Sequence, residues 1–212
     1  MNVIVLDTET TNDLEEPIVY DIGWAVIDLE TEKVIKTESF VVAEIFLDKE
    51  LMSFAYYAEK IPQYWADIKA GKRTLTGRSK IRNALYEDCK NYEVKEIYAH
   101  NAYFDYKACS ITQRYLTASK WRWFFPYGVR ICDTLKMARK AFNDDDYTNF
   151  CIDNNYLTQY GGNRYTAEII YRYLTNNLDF EEEHKGLDDV MIEKEILFAC
   201  RKRGIVEGNL WG

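Results

Sequence analysis

Apolar residues run unbroken from Val3 to Leu6, between Asn2 and the acidic Asp7. So short and continuous a run predicts a central strand over Asn2 to Leu6, buried on both faces, with Asp7 just past its C-terminal end. Ile18 to Asp28 predicts a second strand. The acidic turn Asp28-Leu29-Glu30-Thr31-Glu32-Lys33 leads to a third, Val34 to Val42. Strands joined this closely pair as antiparallel hairpins. The period then becomes helical. Pro62 suits a first helical turn and Gly71 the end of that helix. Ser79 suits an N-cap, because Ile81, Ala84, Leu85 and Cys89 recur behind it at helical spacing.

The second half alternates. Glu96 to Ala99 predicts a short strand entering His100. Ala108, Ile111 and Tyr115 mark one helix face. Val129 to Cys132 predicts another strand, followed by a helix through Met137 and Ala141. Asn143 to Asp146 reads as a polar break, and Arg164 to Leu174 as a helix. The last helix is expected to start at Asp188 or Asp189. Its inner stripe is Ile192, Ile196, Ala199 and Cys200, and Arg201-Lys202-Arg203 with Gly204 close it. No repeat, low-complexity segment or flexible linker interrupts the pattern. A single domain over residues 1–212 is expected, of α/β class with a mixed sheet.

Composition narrows the function. The chain is 47% hydrophobic and 15% aromatic, which fits a packed domain and not a disordered one. A net charge of −8 argues against coating nucleic acid with a general basic surface. It leaves room for an enzyme that grips a short stretch of strand. The five cysteines, Cys89, Cys109, Cys132, Cys151 and Cys200, form no CxxC pair, so buried thiols in a reducing cytoplasm are expected. No apolar run is long enough to span a bilayer, and no signal peptide is visible.

The candidate chemistry lies in acidic residues beside the predicted strands. In Asp7-Thr8-Glu9 the two carboxylates are two residues apart, so on a strand they share a face. Alone, Asp-x-Glu is usually a solvated turn; the buried strand ahead of it raises its interest. In His100-Asn101-Ala102-Tyr103-Phe104-Asp105, Asp105 falls near a helix start, where helix capping is the plainer role. His184 precedes Asp188-Asp189, and there an N-cap beside an exposed histidine is the plainer role. Yet the chain has only two histidines, and each lies shortly before an Asp at a helix start. Carboxylates gathered at one point repel and raise one another's pKa, a conflict that a divalent cation removes. Oxygen ligands favour Mg²⁺ or Mn²⁺ over Zn²⁺, and two such ions can clamp a phosphodiester. A histidine then suits removal of the water's proton.

In this order, the three motifs resemble the histidine branch of the DEDD superfamily of 3′→5′ exonucleases, the branch of the bacterial proofreading subunit, RNase T and oligoribonuclease. Asp7-Thr8-Glu9-Thr10 looks like the first motif. His100 to Asp105 looks like the second, and His184-Lys185-Gly186-Leu187-Asp188-Asp189 like the third. The histidine branch has His five residues before its last Asp. Lys185 occupies the position where the other branch has Tyr. Asp21-Ile22-Gly23 and Cys132-Asp133-Thr134-Leu135 are further family-like features. The resemblance implies an RNase H-like fold: a five-stranded mixed β-sheet flanked by α-helices. It also implies two Mg²⁺ or Mn²⁺ ions held by Asp7, Glu9, Asp105 and Asp189, with His184 as general base. Thr8 and Thr10 would offer backbone contacts to the last nucleotide, while His100 and Asn101 orient the site. Asp188 is assigned to helix capping.

Residues 43–82 are longer and more aromatic than usual for this family. Residues 149–178, with Asn163-Arg164-Tyr165-Thr166-Ala167-Glu168, look similar to exonuclease-like proteins encoded by bacteriophages. Two segments could hold a strand through aromatic and basic side chains. One is Lys120 to Tyr127 with Arg130, where core packing is the alternative. The other is Lys69, Lys72, Arg73, Arg78, Lys80 and Arg82, where a solvated basic face is the alternative. The expected substrate is nucleic acid with a free 3′ end, single-stranded DNA ahead of RNA. A non-catalytic nucleic-acid-binding module is the alternative of another class. Proofreading would need a polymerase or replication partner.

Overall fold

The computed structural model describes residues 1–117, 123–206 and 208–211. Its strands are β1 (Asn2–Thr11), β2 (Ile18–Asp28), β3 (Lys33–Val42), β4 (Thr74–Thr76), β5 (Glu96–Ala99) and β6 (Arg130–Asp133). Among the described residues the helices are α1 (Ala43–Phe46), α2 (Lys49–Met52), α3 (Ile61–Lys69), α4 (Arg78–Asn91) and α5 (Ala102–Thr117). They continue with α6 (Thr134–Ala141), α7 (Asp145–Asp153), α8 (Ala167–Thr175) and α9 (Gly186–Lys202).

The sheet has six strands in the order β4-β3-β2-β1-β5-β6, one more than expected. The hairpins β1–β2 and β2–β3 are antiparallel, while β5, β6 and β4 add in parallel. The extra strand is the edge segment Thr74–Thr76, paired with Phe40–Val42. Three residues carry no readable period, which is why the pattern of apolar positions leaves it out.

Strand β1 is buried on both faces, and its alternation separates two cores. Ile4 and Leu6 pack with Ile22, Trp24, Ile81, Leu85 and Ala108 on one side. Val3 and Val5 pack with Ala25, Ile27, Met137, Val190 and Ile196 on the other. All five cysteines are free and buried. No helix among the described residues is long and apolar enough to cross a membrane.

Several local expectations are corrected. Strand β1 continues to Thr11, so Asp7 and Glu9 lie within it, because β2 pairs with it through Asp7↔Gly23 and Glu9↔Asp21. Helix α4 starts at Arg78 with Gly77 as N-cap, so Ser79 caps nothing. Instead the Glu44 carboxylate accepts the Arg78 N–H, at 3.2 and 3.0 Å. The polar break at Asn143–Asp146 contains the start of α7, where Asp144 is an N-cap accepting the Tyr147 N–H at 2.9 Å. Helix α9 begins at Gly186, so Asp188 lies inside its first turn. Its carboxylate accepts from Arg73 Nη2 at 3.2 Å and does not cap.

Candidate active site

The odd-numbered face of β1 lies against α9, so Asp7 and Glu9 point toward the helix carrying Asp189. A register shift between Glu9 and Thr10 interrupts the pairing, which resumes at Thr10↔Val19; such bulges re-aim side chains beside functional sites. The first turn of α9 rests directly on β2. A Cβ added to Gly23 would lie 2.3 Å from the Leu187 nitrogen, and one on Gly186 would lie 2.8 Å from the Gly23 nitrogen. Only glycines permit this approach, opposite Asp7. The Gly186 N–H donates to Asp21 Oδ2 at 3.0 Å, and the Lys185 N–H donates to Asp189 Oδ2 at 2.9 Å. Both bonds satisfy amides at the start of the helix.

Asp21 is fully buried and holds this end of α9 in place. Arg73 pairs with it at 2.8 Å and Tyr64 Oη donates to it at 2.7 Å. Arg73 was grouped in sequence with a solvated basic face or a binding patch. Here its guanidinium is buried and ties Asp21 to Asp188. In the other aromatic–basic segment, Phe124 and Phe125 are core, Trp123 and Tyr127 are exposed, and Arg130 pairs with Glu96. Lys120, Trp121 and Arg122 lie outside the described residues.

An open cleft of about 470 Å³ is lined by the acidic residues Asp7, Glu9, Glu182, Asp189 and Glu193, together with Asn101 and His184. Glu9, His184 and Asp189 each place a ligand atom within 4.8 Å of the others. Asp105 is buried and does not line the cleft; its Oδ1 accepts from Thr8 Oγ1 at 2.8 Å. The Thr8 side chain therefore faces α5, and neither Thr8 nor Thr10 lines the cleft. His100 Nε2 lies 2.7 Å from the Tyr165 carbonyl oxygen and Nδ1 lies 3.1 Å from Thr134 Oγ1, so both ring nitrogens are engaged. Asn101 has φ of 69°, a left-handed conformation that Asn tolerates, and its N–H donates to Asp133 Oδ1 at 3.1 Å.

His184 also has positive φ, 47°. Its ring stacks on Tyr57 at 4.2 Å between centroids and 12° between planes. Tyr57 belongs to the long 43–82 segment, so that segment reaches the site at both Tyr57 and Arg73. Burial, then the nearby Lys60 ammonium, hold the His184 pKa below the usual histidine range.

Two features of the cleft escape the sequence reading. Glu193 is buried one turn after Asp189 and accepts the His100 N–H at 3.1 Å. Its signal was a charged residue between Ile192 and Ile196 on the inner side of the last helix. The cleft is also lined by the exposed cations Arg139 and Arg164. Arg164 comes from the distinctive 149–178 segment.

Burial and proximity both disfavour negative charge on the carboxyls at this site. Burial and mutual repulsion raise the pKa of Glu9 to about 9 and of Asp189 to about 8. Burial pushes Asp105 up to about 7, and raises Asp7 and Glu193 well above their ordinary values. Asp189 Oδ1 is buried without a hydrogen-bond partner. Carboxylates with one orphaned oxygen, and a histidine within ligand reach, fit a hard divalent cation.

These shifts carry a stability prediction. Each carboxyl is protonated more readily in the fold than in the unfolded chain, where it ionises near pH 4. Their contribution is fully present below that pH and is lost as pH rises toward the folded values. The melting temperature of chelator-treated protein is expected to fall as pH rises from about 5 to 9. Mg²⁺ or Mn²⁺ should restore it, increasingly so at higher pH. Thermal melts across this range, with and without metal, check the point; a metal effect independent of pH would contradict it.

No protein-family model and no curated protein matches the chain by sequence. Solved structures do match it. It is similar to the nuclease domain of 3′hExo, a DEDDh family member solved bound to rAMP, with a TM-score of 0.64 and 13% identity over 98% of this chain and 95% of that one. It is similar to cell-death related nuclease 4 (CRN-4), with a TM-score of 0.57 and 13% identity over 96% of this chain and 64% of that one. It is also similar to E. coli exonuclease I, solved with a dA16 oligonucleotide, with a TM-score of 0.54 and 13% identity. That match covers 95% of this chain and 41% of exonuclease I. The fold is therefore the RNase H-like α/β fold of these exonucleases, with six strands in its sheet.

Proposed function

We propose that this protein is a metal-dependent 3′→5′ exonuclease that releases nucleoside 5′-monophosphates from the 3′ end of single-stranded DNA. One observation carries the reading: the pair Asp7 and Glu9 from the first strand and the pair His184 and Asp189 from the far end of the sequence converge on one cleft, with Asp105 buried nearby. The fold similarity to exonucleases supports it.

Asp7, Glu9, Asp105 and Asp189 would hold two Mg²⁺ or Mn²⁺ ions. When bound, these supply charge stabilisation at the scissile phosphate and a more acidic attacking water. His184 accepts that water's proton. Its depressed pKa keeps it neutral, hence basic, near pH 7, and the Tyr57 ring limits its rotation. The water oxygen bonds to phosphorus, the P–O3′ bond breaks, and the departing 3′ oxygen takes up a proton. Thr8 and Thr10 do not line the cleft, so the backbone contacts expected of them to the terminal nucleotide are not part of this proposal. Asn101 borders the cleft, while His100 braces the wall that carries Tyr165. Arg139 and Arg164 line the same cleft and would attract the next phosphate along.

Purified protein with Mg²⁺ or Mn²⁺ should shorten 5′-labelled single-stranded DNA stepwise from its 3′ end, and degrade RNA of the same sequence more slowly. Preferential RNA digestion would reassign the substrate to RNA. Failure to digest either strand would leave a binding module in place of an enzyme.

A further inference from the structure

Helix α5 turns a polar and aromatic stripe toward a cavity, exposed at Tyr103 and Arg114 and buried at Ser110 between them. Tyr103, Lys107, Ser110 and Arg114 recur at three- to four-residue intervals, so they share one face over about 16 Å. Trp211 stands across from its first turns. Between them lies a cavity of about 720 Å³, larger than the 470 Å³ catalytic cleft. Tyr103 is 54% exposed and Trp211 63% exposed. The Trp211 ring meets Tyr103 and Tyr106 edge-on, at 6.3 and 5.3 Å. Such edge-to-face packing fixes the rings while leaving aromatic surface open. The Lys107 ammonium is anchored by the Leu14 carbonyl at 3.1 Å, and Arg114 is exposed at the far end of the stripe.

Two facts say what this surface is for. The first is composition. On a chain of net charge −8, the cations Lys107 and Arg114 line one cavity together with the exposed rings of Tyr103, Tyr115 and Trp211. That combination fits unpaired nucleic acid, whose bases stack on aromatic faces while its backbone follows positive charge. The second is position. Strand β1 places Asp7 and Glu9 in the catalytic cleft and is followed by Asn12, which lines this cavity. Asn101 lines the cleft, and Tyr103, two residues on, lines the cavity. The two depressions therefore flank the same corner of the fold.

We propose that this cavity is a strand-binding groove for the single-stranded segment upstream of the 3′ end. Tyr103 and Trp211 stack its bases, and Lys107 and Arg114 draw its phosphates. Glu16, which lines the same cavity from outside α5, repels the backbone toward these cations. The proposal rests on the exonuclease reading of the neighbouring cleft.

The test uses Arg114→Glu and Trp211→Ala, two exposed positions, in the full chain with Mg²⁺ or Mn²⁺. Two substrates are compared: single-stranded DNA of about twelve nucleotides and the p-nitrophenyl ester of thymidine 5′-monophosphate, which reaches only the catalytic cleft. Each variant should raise KM for the long strand about tenfold, with kcat and ester hydrolysis unchanged. An unchanged KM, or an equal loss on both substrates, would overturn the groove. If unaltered protein hydrolyses neither substrate, the exonuclease reading fails and affinity for the oligonucleotide decides the groove separately. About tenfold weaker binding by Arg114→Glu then supports it, and equal binding overturns it.

Discussion

Asp7→Asn is expected to lower nuclease turnover by at least about a thousandfold and, at the same time, to raise the melting temperature of the metal-free protein. The two effects share a cause. Asp7 is buried, and its carboxylate is opposed first by desolvation and then by Glu193, Asp105, Glu9 and Asp189. Without metal its ionisation weakens the fold; an amide of the same shape removes the charge and leaves the packing. An unpaired buried charge costs several kcal/mol, so a gain of roughly 5–10 °C is expected near pH 8 in chelator. The addition of Mg²⁺ should reverse the ranking, because the unsubstituted site gains more from the cation. Differential scanning calorimetry beside a nuclease assay measures both. A variant that is inactive and also less stable without metal would show Asp7 to be structural.

The second large effect concerns His184. His184→Ala should lower kcat by about 10²–10⁴, the usual span for a general base, while leaving the metal-induced rise in melting temperature nearly intact. That separation distinguishes proton transfer from metal binding. With the unaltered protein, activity should fall only as pH drops below the usual histidine range, because burial and the Lys60 ammonium both disfavour the charged ring. A variant with full kcat would remove His184 from the mechanism.

Much of this is legible in the residues, and the failures have physical reasons. The bounds of β2 and β5 follow from predominantly apolar segments set between polar turns. The Asp7–Glu9 pair is readable because strand period alone puts both side chains on one face. Arg73 is not, since nothing local distinguishes it from Lys72 or Arg78. Its burial is created by Asp21, 52 residues away in sequence. Asp144 and its neighbours read as a break because capping residues resemble loop residues. The end of β1 was misplaced for a related reason: polar side chains that face a cleft interrupt the apolar pattern but not the backbone pairing. Tyr57 could not be read as a partner of His184, because stacking across so long a separation leaves no periodic trace.

The seat of α9 on β2 also bears on how the protein comes into being. The bond from Gly186 to Asp21 joins residues 165 apart, and the one from Arg73 to Asp188 joins residues 115 apart. A chain leaves the ribosome from its N-terminus. Asp7, Glu9 and Asp105 are therefore made long before His184, Asp189 and Glu193. A nascent or prematurely ended chain lacking α9 has no completed acidic cluster and no base. It also leaves Val3 and Val5 without the Val190 and Ile196 side chains that cover their face. Such fragments would be hydrolytically silent and visibly unfolded to chaperones and proteases. On the exonuclease reading, hydrolysis would therefore begin only once the last helix has docked on β1 and β2.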